Sequence, residues 1–167
     1  RWERSADELM AALERVGGGS AQGRTSGHPL VSIVTPSFNQ GRFLRRTIDS
    51  VLNQTYVNIE YLVVDGGSTD DSKAILASYG DRLRWISEPD GGQTNAINKG
   101  FAQARGEIRA YLNSDDTLLP DAVEQAVAFF RRNPDCDLVY GEGIYIDEHD
   151  RIVGTYDTAE YSFERLM

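Results

Sequence analysis

The sequence predicts an α/β protein built on a mostly parallel sheet with helices on both faces. Two observations carry this. Short apolar runs alternate with amphipathic stretches four times between residues 30 and 133. The runs are nearly continuous in apolar character, as in strands covered on both sides.

The elements follow in order. Residues 2–16, WERSADELMAALERV, space Ala6, Leu9, Met10 and Leu13 helically, so residues 1–16 are expected to form an amphipathic helix. GGGSAQGRTSGHP (17–29) reads as a Gly/Ser-rich linker. Residues 30–167 are expected to form one domain, cut short at its C-terminus. LVSIVT (30–35) is a strand, and 41–54 is a helix with Leu44, Ile48, Val51 and Leu52 on one face. NIEYLVVD (58–65) is the second strand. Ser68, with Asp71 three residues on, suggests a capped helix running to about Tyr79. LRWIS (83–87), a helix over 94–105, and EIRAYLN (107–113) follow. Pro120 opens a helix over 120–133, and DLVYG, IYID and IVGTY close the pattern as strands.

Composition narrows the function. With 17 Lys and Arg against 26 Asp and Glu, the net charge of −9 argues against non-specific nucleic-acid binding. Cys136 is the one cysteine, which excludes an internal disulfide and a cysteine-rich zinc site. His28 and His149 lack metal-ligand spacing. No run of about 18 or more apolar residues is present, so no transmembrane segment is expected in this chain. A cytoplasmic location, or one at the inner face of a membrane, is expected.

In doubly covered parallel sheets, ligands bind beyond the carboxyl ends of the strands. Here those ends read TPSFNQG, DGGSTDD, SEPDGGQTNAINKG and NSDD. They offer Pro36, Ser37, Phe38 and Asn39, then Asp65 with Gly66 and Gly67, then Asn98 and Lys99, then Asn113, Ser114, Asp115 and Asp116. Glycines admit close approach to the backbone. The acids suit ribose, base or metal contacts, the layout of a nucleotide site. Each piece has a plainer reading. Asp65 closes a turn, Lys99 is solvated surface, and Asp115 and Asp116 cap the next helix. No P-loop and no GxGxxG is present.

In combination these segments, VSIVTPSFNQ through VVDGGSTDDS, then EPDGGQTNAINKGFAQARGEI, then YLNSDDTLLPDA, resemble family 2 glycosyltransferases of the GT-A fold, of the bacterial polysaccharide-biosynthesis type. The resemblance spans about residues 30–153. It implies a three-layer α/β/α nucleotide-diphospho-sugar transferase fold. It also implies inverting transfer from a nucleotide-sugar donor, most often UDP-linked, to a glycan or lipid-linked acceptor, with Mg2+ or Mn2+. By this resemblance Pro36, Ser37 and Phe38 flank the nucleobase, Asp65 contacts the uracil or its neighbourhood, and Asn98 and Lys99 border the donor; Asn39 and Gly67 join them as nucleotide-sugar-binding candidates from their strand-end places. NSDD stands where the family carries DxD, with Asn113 in place of the first acid. Asp115 then takes the metal position and Asp116 a second or orienting one. The family's base is an acid well downstream, expected beyond Met167, so this fragment is expected to lack it; Glu142 and Asp147 are the strand-end candidates within the chain, more simply read as strand-end and turn residues. A non-catalytic nucleotide-sugar-binding or interaction module is the alternative. A receiver-like domain ranks lower, because its acidic pair follows the first strand.

Overall fold

The structure is a computed structural model and describes residues 13–15, 27–147, 149 and 151–156. The strands are β1 (Leu13–Arg15), β2 (Val31–Ser37), β3 (Ile59–Asp65), β4 (Arg84–Ser87), β5 (Ile108–Tyr111), β6 (Leu138–Val139), β7 (Gly143–Ile146) and β8 (Ile152–Tyr156). The helices are α1 (Gly41–Leu52), α2 (Ser72–Ser78), α3 (Gln93–Gln103) and α4 (Ala122–Arg132). Six strands form one sheet in the order β4-β3-β2-β5-β1-β6, and β7 and β8 pair as a separate antiparallel hairpin. Strands β4, β3, β2 and β5 are parallel, as expected.

Alternation along the central strands feeds two cores. Val31 and Ile33 of β2, with Tyr61 and Val63 of β3, pack with Leu44, Ile48, Leu76, Val127 and Phe130. Val34, Leu62 and Val64 point the other way, onto Ala96 and Phe101 of α3. Gly100 permits that second contact, since a Cβ there would lie 2.3 Å from Val34 Cγ1.

Four expectations are corrected. The expected helix over residues 1–16 mostly lies outside the described residues, but Leu13–Arg15 form a strand. This strand runs antiparallel to β5 and β6, with Leu13 opposite Ala110 and Val139. It fills a slot between two strands whose facing backbone groups would otherwise lack partners. The helix expected from Ser68 begins only at Ser72, because the Ser68 hydroxyl is engaged elsewhere. Pro120 precedes α4 and does not open it; its carbonyl accepts from Thr55 N at 2.8 Å. The first turn of α4 is served instead by Gln54, whose Oε1 accepts from Val123 N at 3.0 Å. Strand β2 runs on through Pro36 to Ser37. The ladder to β5 ends at Val34 and Tyr111, so the missing N–H of Pro36 falls where no neighbouring strand needs it.

At the opposite end of the sheet Glu60 is buried and ties α3 down. It accepts from Ser32 Oγ at 2.7 Å, Arg105 N at 2.9 Å, Arg105 Nε at 2.7 Å and Arg84 Nη1 at 3.2 Å. Burial pulls its pKa upward, but the bonds from Ser32 and Arg105 outweigh it and hold the carboxyl below its ordinary value.

Two outcomes are expected. The stabilisation from Glu60 is complete above an unfolded glutamate's value of 4.5 and is lost as pH falls through the lower folded value. Glu60→Gln should therefore cost roughly 1–3 kcal/mol at neutral pH and flatten the acid limb of stability measured by urea unfolding. Gly100→Ala should cost about 1–3 kcal/mol by overpacking against Val34, read from the same unfolding curves.

Candidate functional site

The carboxyl ends of β2, β3, β4 and β5 meet along one edge, and hydrogen bonds lace their loops together. Asp65, at the tip of β3, is 0% exposed. Its Oδ2 accepts from Gly67 N at 3.2 Å, Ser68 N at 2.9 Å and Ser87 Oγ at 2.6 Å, and its Oδ1 accepts from Ser68 Oγ. The side chain thus shapes the DGGS loop and joins it to β4, while Gly67 supplies the positive φ of 86° that the turn needs. Gly66 N donates to Ser37 O at 2.8 Å and Glu88 N to Asp65 O at 3.0 Å, which extends the lacing on both sides.

Asn39 couples the first two loops. Its backbone sits at φ 54°, an uncommon region that Asn tolerates better than most residues. Its N donates to Ser68 Oγ at 2.7 Å, and its Oδ1 accepts from Thr69 N at 2.8 Å. Asp70 adds a second clasp, accepting from Gly41 N at 2.8 Å and Ser72 N at 3.0 Å. Desolvation pulls the pKa of the exposed Asp70 upward, but hydrogen bonds from Ser72 and Gly41 prevail and lower it. Phe38 stands out beside Asn39 with 58% of its surface exposed. Ser37 is buried, and its hydroxyl has no hydrogen-bond partner among the described residues.

The NSDD segment is a turn clipped twice. Asp116 N donates to Asn113 O at 3.2 Å, and Asn113 Nδ2 donates to Asp116 Oδ2 at 3.0 Å. Ser114 is buried, and its carbonyl accepts from Thr47 Oγ1 of α1 at 2.8 Å. Asp116 is held inside at 7% exposure. Asp115, at the tip, is exposed, and its carboxylate makes no hydrogen bond or ion pair among the described residues. The adjacent like charges therefore part: one carboxylate turns inward to an amide and the other outward.

Several sequence-derived candidates sit differently from the rest. Lys99 Nζ is paired with Glu88 Oε1 at 2.9 Å, and Asn98 is exposed beside it on α3. Asp147 lies in the β7–β8 turn, where it accepts from His149 N, Arg151 N and Arg151 Nε. The Arg151 side chain is the main cause that holds its carboxyl at about 2. Glu142 is exposed between β6 and β7 and takes no part in the lacing. Gln93 went unremarked in the sequence, yet its Nε2 donates to Asn113 Oδ1 at 2.6 Å and ties the start of α3 to the NSDD turn. Its position directly after the Gly91–Gly92 pair was the available signal.

Residues 32–164 match the family described as Glycosyl transferase family 2. The chain belongs to glycosyl transferase family 2. Among family members, the chondroitin synthase of Escherichia coli is 37% identical over 142 residues, covering 83% of this chain and 21% of that protein. An uncharacterized glycosyltransferase of Rickettsia felis is 38% identical over 123 residues, 72% of this chain and 20% of its own length. The chain thus spans about a fifth of these relatives. Among solved structures, S. aureus TarS in complex with UDP-GlcNAc superposes with a TM-score of 0.57 at 25% identity, over 62% of this chain and 31% of that one. The Pyrobaculum calidifontis mannosyltransferase PcManGT, in complex with GDP-Man and Mn2+, gives 0.54 at 25% identity, over 62% and 32%. Such neighbours share the GT-A fold with this family 2 chain.

A cavity of about 790 Å3 lies on the α4 side of the sheet, lined by Ile33, Leu112, Leu118, Phe129 and Val139. Its lining is largely apolar and includes none of Ser37, Asp65, Lys99 or Asp115. The lining does include Glu142, the candidate acid that follows β6.

The burial of Asp65 yields a prediction. Asp65→Ala would leave the Gly67 and Ser68 amides and the Ser68 and Ser87 hydroxyls without their acceptor. Each such loss costs roughly 1–3 kcal/mol, so global stability should fall by several kcal/mol in thermal and urea unfolding. Unchanged stability would show that the lacing contributes little.

Proposed function

We propose that this chain is the donor-binding part of an inverting glycosyltransferase that uses a UDP-linked sugar and a divalent cation. The observation that supports it most directly is the lacing of four strand-end loops that carry an exposed ring and a carboxylate without a partner among the described residues, in a chain of family 2. The complexes of TarS with UDP-GlcNAc and of PcManGT with GDP-Man and Mn2+ support the donor class and the metal.

Phe38 offers its exposed ring to the flat face of a base, with Pro36 and Ser37 behind it. Asp65, being spent on its own loop, acts by shaping the backbone of Gly66 and Gly67 rather than by offering its side chain. Asn113 and Ser114 border the ribose and diphosphate, and Asp115 faces outward where the phosphates would lie. Lys99 would reach a phosphate only by leaving Glu88, which sets its ion pair in competition with the donor.

No group of three or more His, Cys, Asp or Glu side chains able to hold a metal occurs among the described residues. The exposed carboxylate of Asp115 nevertheless fits a divalent cation such as Mg2+, which takes one or two carboxylates together with substrate phosphates and water. Asp115 would hold such an ion jointly with the diphosphate, with Asp116 orienting the turn behind it. The ion would offset charge on the departing nucleoside diphosphate.

Inversion also calls for a base at the acceptor hydroxyl. Asp147 is a poor one, because its bonds to Arg151 hold it far below the operating pH. Glu142 stands exposed and is the better placed of the two strand-end candidates. The acceptor is proposed to be a glycan or a lipid-linked glycan. No helix among the described residues is long and apolar enough to cross a membrane.

Calorimetric titration with UDP tests the reading. Binding should strengthen about ten- to hundredfold when Mn2+ replaces a chelator, as expected for a charge-assisted contact of roughly 1.5–3 kcal/mol. Mn2+ alone should bind weakly, since the protein supplies too few ligands by itself. Asp115→Ala should remove the metal-dependent part while leaving the melting temperature unchanged. Equal affinity for UDP in chelator and in Mn2+ would remove the metal from the site.

A further inference from the structure

We infer that Gln93 is a positioning residue for the donor site, acting through the Asn113 amide to hold the turn that presents Asp115. The inference rests on the donor-site reading above and extends it to a residue that contacts neither proposed metal nor proposed phosphate.

Chemistry sets the direction of the chain of bonds. An ionised carboxylate only accepts hydrogen bonds. The side of Asn113 that meets Asp116 Oδ2, at 3.0 Å, must therefore be its NH2 group. That leaves Asn113 Oδ1 facing the other way, toward Gln93, which must donate; its Nε2 lies 2.6 Å off. Reversing any one amide would set two acceptors or two donors face to face. The relay thus has a single polarity, running from Gln93 through Asn113 to Asp116.

The relay links two elements far apart in the chain. Gln93 is the first residue of α3, directly after Gly92, whose φ of 100° brings the chain into the helix. Asn113 and Asp116 are the first and last residues of the turn, and Asp115 sits between Thr47-anchored Ser114 and Asp116. Fixing both ends of the turn fixes the direction of the carboxylate at its tip. An Asp at position 113 could not serve in this way, because two carboxylates would then face each other across 3.0 Å.

Gln93→Glu reverses the polarity with little change in size. The Asn113 amide must then turn its NH2 group toward residue 93, and its Oδ1 opposes Asp116. Gln93→Met removes the donor without reversing anything. UDP binding in the presence of Mn2+ should fall about ten- to hundredfold for Gln93→Glu and less for Gln93→Met, while the melting temperature of both stays near that of the unaltered chain. In an Asp116→Asn background the loss caused by Gln93→Glu should vanish, because the amide introduced at position 116 can donate to the turned Asn113. The 15N-detected side-chain amide signal of Asn113 reads the same reversal independently of affinity. It should move on Gln93→Glu and move much less on Gln93→Met. If the unaltered chain binds UDP with Mn2+ and Gln93→Glu binds equally well, or loses the same factor in both backgrounds, the relay is overturned alone. If the unaltered chain binds no UDP, the donor-site reading falls and the inference falls with it.

Discussion

The buried carboxylate of Asp65 is the constraint around which the cleft is arranged. It sits at the end of a central strand, fully enclosed, with four donors from three residues converging on its two oxygens. A buried carboxylate is tolerated only when it is well hydrogen-bonded. The surrounding loops must therefore hold the geometry that satisfies it. Ser68 passes the constraint on to Asn39, and Ser87 passes it to β4. Gly66 returns it to the end of β2 through Ser37 O. One enclosed charge thus fixes where three loops stand relative to one another.

The fourth loop is governed differently. The NSDD turn carries two neighbouring acids, and their repulsion is relieved by facing them apart. Asp116 goes inside, supported by the Asn113 amide, and Asp115 goes out. The turn is tied to α1 by Thr47 and to α3 by Gln93. The exposed carboxylate therefore sits on a rigid mount. Pre-organised groups of this kind lose little ordering entropy when a ligand arrives. Glu60 plays a comparable part at the far end of the sheet, where it anchors the end of α3 to β3 and β4. The helix that carries Gln93 is thereby held at both of its ends.

The parallel core was legible in the residues. Apolar runs such as YLVVD and amphipathic helices such as GRFLRRTIDSVL announce themselves by local periodicity, and the observed strands β2 to β5 and helices α1 to α4 fall where those patterns stand. The strand-end location of the polar groups followed from the architecture alone. Three features were hidden because each depends on a partner outside the local pattern. Leu13–Arg15 carries a helical pattern but lies as a strand between β5 and β6, since the backbone groups of those strands outweigh a weak local preference. Ser68 reads as a helix cap, yet its hydroxyl is taken by Asp65. Asp147 reads as a candidate base, but Arg151, four residues on across the hairpin turn, claims its carboxylate.

By itself the sequence determined the fold class, the succession of strands and helices along the parallel core, and the set of loops in which small, acidic and amide side chains gather. These depend on spacing and side-chain chemistry, both of which are local. Tertiary structure decided what each acid does. Asp65, Asp115 and Asp116 are the same residue type at similar strand-end positions, yet one shapes a loop, one faces solvent and one is clasped by an amide. Burial and the number of available donors separate their roles. Those quantities exist only once Asn39, Ser87 and Gln93, drawn from three other loops, have been brought alongside.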